Sequence, residues 1–342
     1  MKTIVVTGGA GFLGSHLTRK LVELGHRVIV IDNLITTGDP KYIKDLIVDE
    51  KIKFIRKDIC DEDLIMVLAG ILEEFEIKDN DGKVTKIDEI FNLASPASVR
   101  LYTRFPELTF LTSTKGVLNM LNIAKVLGTK DVRFLETSTS EVYGDPLVHP
   151  QWESYFGNVN TQCNRSCYDE GKRGAEVLCY LHSKKMAGEI SGINVHIARL
   201  FNVYGPNNTD DRVMPTFITQ AMHGADITVY GDGEQTRSFC FVDDLIDGLL
   251  KLQASNISSP VNLGNPQEIK IIELAQLINS MFGDMSKITF HPLPEFDPTR
   301  RCPDISLAKS KLGWEPKISL RDGILKVIKW MEKEYGYGDS DE

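Results

Sequence analysis

No apolar stretch in this 342-residue chain approaches the roughly 20 residues that a membrane-spanning helix requires. No charged segment followed by an apolar run precedes the first expected strand, so a leader is not expected and the expected location is cytoplasmic. Basic excess is missing as well: the formal net charge is −9, which argues against non-specific binding to nucleic acid or an anionic membrane. An anionic substrate would therefore need a local cluster of arginines. The six cysteines (Cys60, Cys163, Cys167, Cys179, Cys240 and Cys302) lack CxxC spacing. Cys163 and Cys167 are four apart without a His/Cys cluster nearby, so no metal site is expected. A chain of this size needs no disulfide staples, and reduced thiols follow. Linkers, repeats and low-complexity tracts are also missing. What remains, 42% hydrophobic and 25% charged residues, is the composition of an ordinary globular enzyme of one large domain or two coupled ones.

Strand-length apolar runs recur at 3–7, 27–31, 53–56, 89–93, 133–137 and 194–200, with helical spacing at 11–24, 61–75, 106–127 and 166–186 between them. Near-continuous apolar strands separated by helices indicate a parallel sheet covered on both faces. The expected class is therefore α/β: a Rossmann-type doubly wound sheet over 1–202. From about residue 203 short turn-rich segments (ITVYGDG, RSFCFV, PVNLGNP) alternate with helices near 242–254, 270–282 and 319–334. This pattern predicts a smaller C-terminal α/β substrate-binding lobe over 203–342, interleaved with the first. The acidic end GDSDE and the polar stretch 77–88 stand apart, the latter reading as a surface hairpin around Asp81-Gly82.

Gly8, Gly11 and Gly14 form GxxGxxG between a strand and a helix, where the backbone can approach a pyrophosphate and a helix N-terminus supplies aligned N–H donors. A ligand-free tight turn would show the same spacing. Asp32 weighs against that alternative, because it ends the second strand about twenty residues on, where a carboxylate accepts from ribose hydroxyls and repels a 2′-phosphate. NAD is thus favoured over NADP. Asp58, after the third strand, is placed to face the adenine, although a helix N-cap or a solvated acid would read alike. Tyr168 and Lys172 lie one helical turn apart in CYDEGKR, on one face, so the cation can favour the phenolate. A hydroxyl from TSTSEVYG (137–144) would complete a base able to take a proton from a sugar alcohol. A surface Tyr–Lys pair without function is the alternative, and the nucleotide motif upstream argues against it.

The segments NLASPAS (92–98), STSEVYGDPLVHPQ (138–151), CYDEGKRGAE (167–176), FNVYGP, VYGDGEQTRSF, PVNLGNP, RRCPDI and LGWEP resemble the extended short-chain dehydrogenase/reductase family over nearly the whole chain. Within it they are most similar to the UDP-glucuronate decarboxylases. The resemblance implies bound NAD, contacted by Gly8, Gly11, Phe12, Leu13, Gly14, Asp32, Asn33, Thr37, Gly38, Asp58, Ile59, Leu93, Ser95, Tyr168 and Lys172. It implies catalysis by Thr139, Glu141, Tyr168, Lys172 and Arg237, with UDP-glucuronate oxidised at C4, decarboxylated and reduced again to UDP-xylose. Substrate contacts would come from Pro96, Tyr102, Ser140, Asn202, Arg212, Tyr230, Arg237 and Arg301. Arg212 and Arg301 are implied at the diphosphate and Tyr230 beside the uracil.

The triplet Thr139-Ser140-Glu141 separates the family's chemistries. Related 4,6-dehydratases carry Thr-Asp-Glu, UDP-galactose 4-epimerases lack the Glu, and UDP-apiose/xylose synthases carry Cys at the position of Ser140. Each alternative is one substitution away, and a non-catalytic NAD-binding module stands beside them. The role of Glu141 stays open here, because its charge would repel the substrate's own carboxylate. The family pairs two helices per subunit into a four-helix bundle, which implies a homodimer through 106–127 and 166–186. Three departures from the family pattern are visible: Thr112-Ser113-Thr114 in place of TNT, Asp39 in a lengthened loop after Asp32, and SVRLYTRFPE in place of a Pro-rich loop.

Overall fold

The computed structural model describes residues 1–75, 85–188, 192–208, 212–292 and 300–336. The hairpin expected around Asp81-Gly82 and the acidic 338–342 lie outside the described residues. From the N-terminus the chain runs β1 (Thr3–Thr7), α1 (Phe12–Glu23), β2 (Arg27–Ile31), α2 (Lys44–Val48), β3 (Ile52–Ile55), α3 (Leu64–Glu74) and β4 (Ile87–Asn92). Next come α4 (Val99–Arg104), α5 (Pro106–Leu111), α6 (Val117–Leu127), β5 (Gly128–Thr139), α7 (Ser166–His182), α8 (Lys184–Ala187) and β6 (Asn194–Leu200). Then follow β7 (Val203–Tyr204), α9 (Val213–Met222), β8 (Ile227–Tyr230), β9 (Thr236–Ser238), β10 (Cys240–Phe241) and α10 (Val242–Ala254). The chain closes with β11 (Pro260–Leu263), β12 (Glu268–Lys270), α11 (Ile271–Met281), β13 (Ile288–His291), β14 (Arg300–Arg301), α12 (Ser306–Leu312) and α13 (Leu320–Tyr335).

The main sheet has seven strands in the order β11–β6–β5–β4–β1–β2–β3. β1 pairs in parallel with β2 and β4, β2 with β3, and β4 with β5. This is the doubly wound order, whose direction of winding reverses between β1 and β4 and opens a crevice at the strands' carboxyl ends. Buried runs such as Ile4-Val5-Val6 and Val28-Ile29-Val30-Ile31 supply β-branched side chains to the sheet faces. Leu64, Leu68, Leu72, Met120, Leu121 and Ala124, from α3 and α6, form one core with Val5, Ile29 and Ile31 of these runs.

Two expected helices are interrupted. In place of one helix over 106–127, a π-helical turn at Thr112–Gly116 separates α5 from α6. The hydroxyls of Thr109, Thr112 and Thr114 donate to carbonyls four residues back, a pattern that bends helices. α7 packs close to this turn because it presents Gly171 there: a Cβ at Gly171 would stand 3.1 Å from Ser113 Cβ. The helix expected over 166–186 stops at His182, where Ser183 turns extended and bridges to Ile193. The Pro-rich-loop replacement is helical, with Ser98 capping α4 through Leu101 N–H.

The chain forms two compact units. Met1–Val142, Asn160–Arg199 and Leu249–Pro260 make up the first; Tyr143–Val159, Leu200–Gly248 and the residues from Val261 onward make up the second. In the second unit Tyr204 packs edge-on to Phe241, and α13 approaches it through Gly323, whose missing Cβ would lie 2.0 Å from the phenol oxygen. Trp314 is buried there, donating its indole N–H to Asp244 O at 2.9 Å. No described helix is long and apolar enough to cross a membrane.

Candidate active site

In the first unit the turn after β1 is tied down at both ends. Gly8 N–H donates to Ile31 O at 2.8 Å, and Gly11 N–H returns to Gly8 O at 3.2 Å. Gly8 has φ +66° and lies against the Ala94 backbone, where a Cβ would stand 2.9 Å from the nitrogen. At Gly14 a Cβ would meet Gly8 O at 2.0 Å. Gly11 differs: its backbone is ordinary extended chain, and the nearest atom to its missing Cβ is Gly8 O at 3.4 Å. The fold itself demands glycine at 8 and 14, whereas at 11 the missing Cβ leaves a cradle before the N-terminus of α1, followed by Phe12 and Leu13. A phosphate approaching the backbone fits that space.

Asp32 accepts from Ala10 N–H (2.9 Å) with one oxygen and from Leu34 N–H (2.8 Å) with the other, and burial raises its pKa against both bonds. The lengthened loop closes by Gly38 N–H donating to Leu34 O, with Thr37 between and Asp39 turned to its own Lys41 N–H. Asn33 Nδ2 donates to Asp58 Oδ2 at 2.7 Å, joining the ends of β2 and β3 beside buried Ile59. Leu93 N–H donates to Thr7 O after β4. Ser95 Oγ, two residues on, is buried without a hydrogen-bond partner among the described residues. Pro96 is buried next to it. The Gly11 cradle, the carboxylate of Asp32 and the unpartnered Ser95 hydroxyl together suit a dinucleotide.

Tyr168 and Lys172 both point inward from α7, 8% and 2% exposed. Lys172 Nζ donates to Thr137 O (2.7 Å) and to Glu136 Oε1 (3.0 Å). Burial opposes the Lys172 charge, but the carboxylate of Glu136 outweighs it and raises the pKa. Thr139, Ser140 and Glu141 follow at the end of β5, Thr139 and Ser140 buried and Thr139 Oγ1 accepting from Glu141 N–H at 3.2 Å. Tyr102, from α4, stacks on Tyr168 with ring centroids 5.4 Å apart. Its hydroxyl is buried without a partner among the described residues, and burial drives its pKa up, so it stays a neutral phenol. Arg165 lies 6.0 Å from the Tyr102 ring and forms an ion pair with Glu141. Burial works against the Arg165 charge, yet Glu141 holds the guanidinium protonated.

Two of these residues escape sequence reading. Glu136 carries a signal, a carboxylate inside an otherwise apolar strand. Arg165 carries a weaker one, one helical turn before Tyr168. Its pairing with Glu141 removes the difficulty of a lone carboxylate beside an anionic sugar.

In the second unit Arg237 of β9 and Arg301 of β14 are register partners, Arg301 being only 2% exposed. Two guanidinium groups on adjacent strands supply the local positive charge that a globally acidic chain needs for an anionic ligand. Asn202 lies half-buried before β7, Arg212 is exposed at the N-cap of α9, and Tyr230 ends β8 half-exposed. His149, Glu268 and Cys302 bring a ring nitrogen, a carboxylate and a thiol within 4.8 Å. There His149 Nε2 and Glu268 Oε2 are 2.8 Å apart, and burial pushes the Cys302 thiol up to about 12, a hydrogen-bonded pair beside a neutral thiol.

Comparison with known proteins adds four findings. A family model described as GDP-mannose 4,6 dehydratase matches residues 5–327. A Xenopus tropicalis protein named UDP-glucuronic acid decarboxylase 1 is 46% identical over 335 residues, 97% of this chain and 73% of that one. Among solved structures, the UDP-glucose 4-epimerase of Thermotoga maritima with UDP-glucose superposes with a TM-score of 0.83 at 28% identity, covering 97% and 99% of the two chains. The UDP-glucuronic acid 4-epimerase of Bacillus cereus, in complex with UDP-glucuronic acid and NAD, gives 0.81 at 26%, covering 97% and 100%.

Proposed function

The chain belongs to the extended short-chain dehydrogenase/reductase family, and from that membership we propose that it converts UDP-glucuronate to UDP-xylose with NAD as a recycled cofactor. The observation that carries this reading is the buried Tyr168–Lys172 pair beside Thr139-Ser140-Glu141, in a chain that over 97% of its length is similar to a relative named UDP-glucuronic acid decarboxylase 1. Ser140 stands where a dehydratase would need an acid, which favours loss of carbon dioxide over loss of water.

In this reading Tyr168, supported by Thr139 and Lys172, takes the O4 proton of the sugar. The turn from Gly8 to Gly14, with Asp32, Asn33, Asp58 and Ser95, would hold NAD, which would supply a reversible hydride acceptor for C4. The new C4 carbonyl is beta to the C6 carboxylate. The C5–C6 bond breaks, carbon dioxide leaves, and the electron pair enters the carbonyl as an enolate that protonated Tyr168 stabilises at O4. A proton from solvent takes the place of the lost carboxylate at C5, on the side assigned to Arg237, and return of the Tyr168 proton to O4 completes the cycle without net redox change. Arg212 and Arg301 hold the diphosphate with Asn202, Tyr230 lies at the uracil, and Pro96, Tyr102 and Ser140 line the sugar.

The proposal extends to assembly and location. Phe110, Leu111 and Leu118 of α5 and α6, with Val177, Tyr180 and Leu181 of α7, are large apolar residues left 37–57% exposed on one unit. That surface supports a homodimer through a four-helix bundle. Six free thiols suit a reducing compartment such as the cytoplasm.

The test is incubation with UDP-glucuronate labelled at C6, followed by NMR and mass spectrometry. Labelled carbon dioxide and UDP-xylose without accumulating NADH are expected, and Tyr168→Phe should slow turnover about 10²–10⁴-fold. Epimerised UDP-sugar with no carbon dioxide would assign 4-epimerase chemistry instead. NAD binding with no turnover would leave a binding module.

A further inference from the structure

Glu136 is 0% exposed in the middle of β5, a strand whose neighbouring residues Phe134 and Leu135 are core. An ionised carboxylate there is costly unless it is paired and fully hydrogen-bonded. The structure meets both conditions. Oε1 accepts from Lys172 Nζ at 3.0 Å and Oε2 from Asn92 Nδ2 at 2.6 Å. Asn92 Oδ1 in turn accepts from Thr7 Oγ1 at 2.7 Å, and Thr7 Oγ1 accepts from Leu93 and Ala94 N–H at 3.1 Å.

Thr7, Asn92 and Glu136 are register partners on β1, β4 and β5, so one row of side chains crosses three adjacent strands and ends on Lys172. The row starts at the residue before the Gly8 turn and finishes at the ammonium beside Tyr168. Leucine would satisfy the core at 136 with no such expense. A carboxylate placed there instead, with each oxygen aimed at a donor, has one exposed consequence: it fixes where the ammonium sits and whether it keeps its charge.

We propose that Glu136 is a positioning residue whose buried carboxylate pins Lys172 and sets the pH range in which the Tyr168–Lys172 pair works; this rests on the reading of that pair as the catalytic base. On α7, Glu176 and Cys179 face Glu136, and Glu176 is neutralised by Arg199 of β6 (Nη2 to Oε2, 2.7 Å) and accepts from Ser138 Oγ at 2.5 Å. Burial holds Cys179 far up as a neutral thiol. Beyond Tyr168, Arg165 is paired with Glu141 and also faces the buried carboxylate of Asp169, all three beside Tyr102. Glu136 is thus the one carboxylate in direct hydrogen-bond contact with Lys172 among the described residues.

Removing its charge without its shape leaves the Tyr168–Lys172 pair one negative charge short. Whichever of the two groups ionises first, the pair then gives up its first proton at lower pH, because every deprotonated form is more favoured beside an uncompensated positive charge. A residue with only a packing role would lower stability and leave that proton affinity alone.

The experiment uses protein labelled with 13Cζ-tyrosine and 13Cε-lysine, with the signals assigned by their loss in Tyr168→Phe and Lys172→Met. In Glu136→Gln the first ionisation of the pair should move down by about one pH unit or more, a tenfold change in proton affinity. The acid limb of UDP-glucuronate turnover should move with it. Glu136→Asp, which keeps the charge but withdraws it by one methylene, should move the same midpoint in the same direction by less, and it decides the matter if the Gln variant does not fold. Midpoints within 0.2 pH unit of wild type (about a 1.6-fold change in affinity) in the folded variants would overturn the proposal. The titration needs no substrate, so wild-type protein that releases no carbon dioxide would sink the functional reading while the NMR midpoints still decide the role of Glu136.

Discussion

At the scale of single residues, the three glycines of one motif have different reasons to be glycine. Gly8 and Gly14 are required by contacts of the chain with itself, a Cβ at 14 falling 2.0 Å from a backbone oxygen that cannot retreat. Gly11 faces no such contact. Gly14→Ala should therefore destabilise the fold by about 1–3 kcal/mol through overpacking. Gly11→Ala should leave the urea midpoint near wild type yet weaken NAD binding by about tenfold or more, about 1.4 kcal/mol. Urea unfolding beside isothermal titration with NAD separates the two, and an unchanged NAD affinity in Gly11→Ala would remove the cradle argument.

At the scale of elements, strands and helices carry buried polar groups that tie the sheet to its surroundings. His196 of β6 is buried as a neutral ring: Nδ1–H donates to Ile257 O at 2.8 Å, and Arg133 Nη1 donates to Nε2 at 3.3 Å. The same Arg133 reaches Gln253 O and Ser255 O, so the turn after α10 is held to the edge of β5. Burial pushes the His196 pKa down to about 4, with Arg133 adding to the effect. The sign follows from linkage. An unfolded histidine near 6.5 binds a proton that the folded one refuses, so this contribution is fully present above about pH 6.5 and is lost as the pH falls towards 4. The loss amounts to about 3 kcal/mol at most. Urea unfolding between pH 4 and pH 7.5 should show a shallower slope in His196→Asn than in wild type, and equal slopes would contradict the assignment. The break between α5 and α6 belongs to this scale too, since the turn at Thr112–Gly116 and the glycine face of α7 fit one another and so fix the helix that carries Tyr168 and Lys172.

For the whole molecule, the formal charge of −9 and the UDP-sugar reading pull in opposite directions, and only local arginines such as Arg237 and Arg301 resolve them. The apolar surface on α5, α6 and α7 is the other molecular-scale feature. Val177, 57% exposed, and Leu181, 46% exposed, stand on it one helical turn apart. Replacing both by Glu should convert the proposed dimer to a monomer at micromolar concentration, read by light scattering. An unchanged mass would place the interface elsewhere, and a monomeric wild type would remove it.

The doubly wound sheet was legible in the residues alone, because buried parallel strands must be apolar on both faces and the helices between them must show a 3.6-residue period. The sequence also placed Tyr168 and Lys172 on one helix face, the glycine turn after the first strand and Asp32 after the second, since each pattern is a residue type at a fixed spacing along one element. Strand ends moved by a residue or two, as Ile52–Ile55 against the expected 53–56 shows, except that β5 starts at Gly128, five residues before the expected 133. Long-range pairings were not legible. Nothing in the residues near Glu136 names Lys172 or Asn92 as its partners, because those contacts exist only once β4, β5 and α7 are side by side. The same holds for Arg165 with Glu141, for the stacking of Tyr102 on Tyr168, and for the π-turn that interrupts a helix of regular apolar spacing. Local periodicity fixes what an element is; which charges share one dry volume is decided only when distant elements exclude water together.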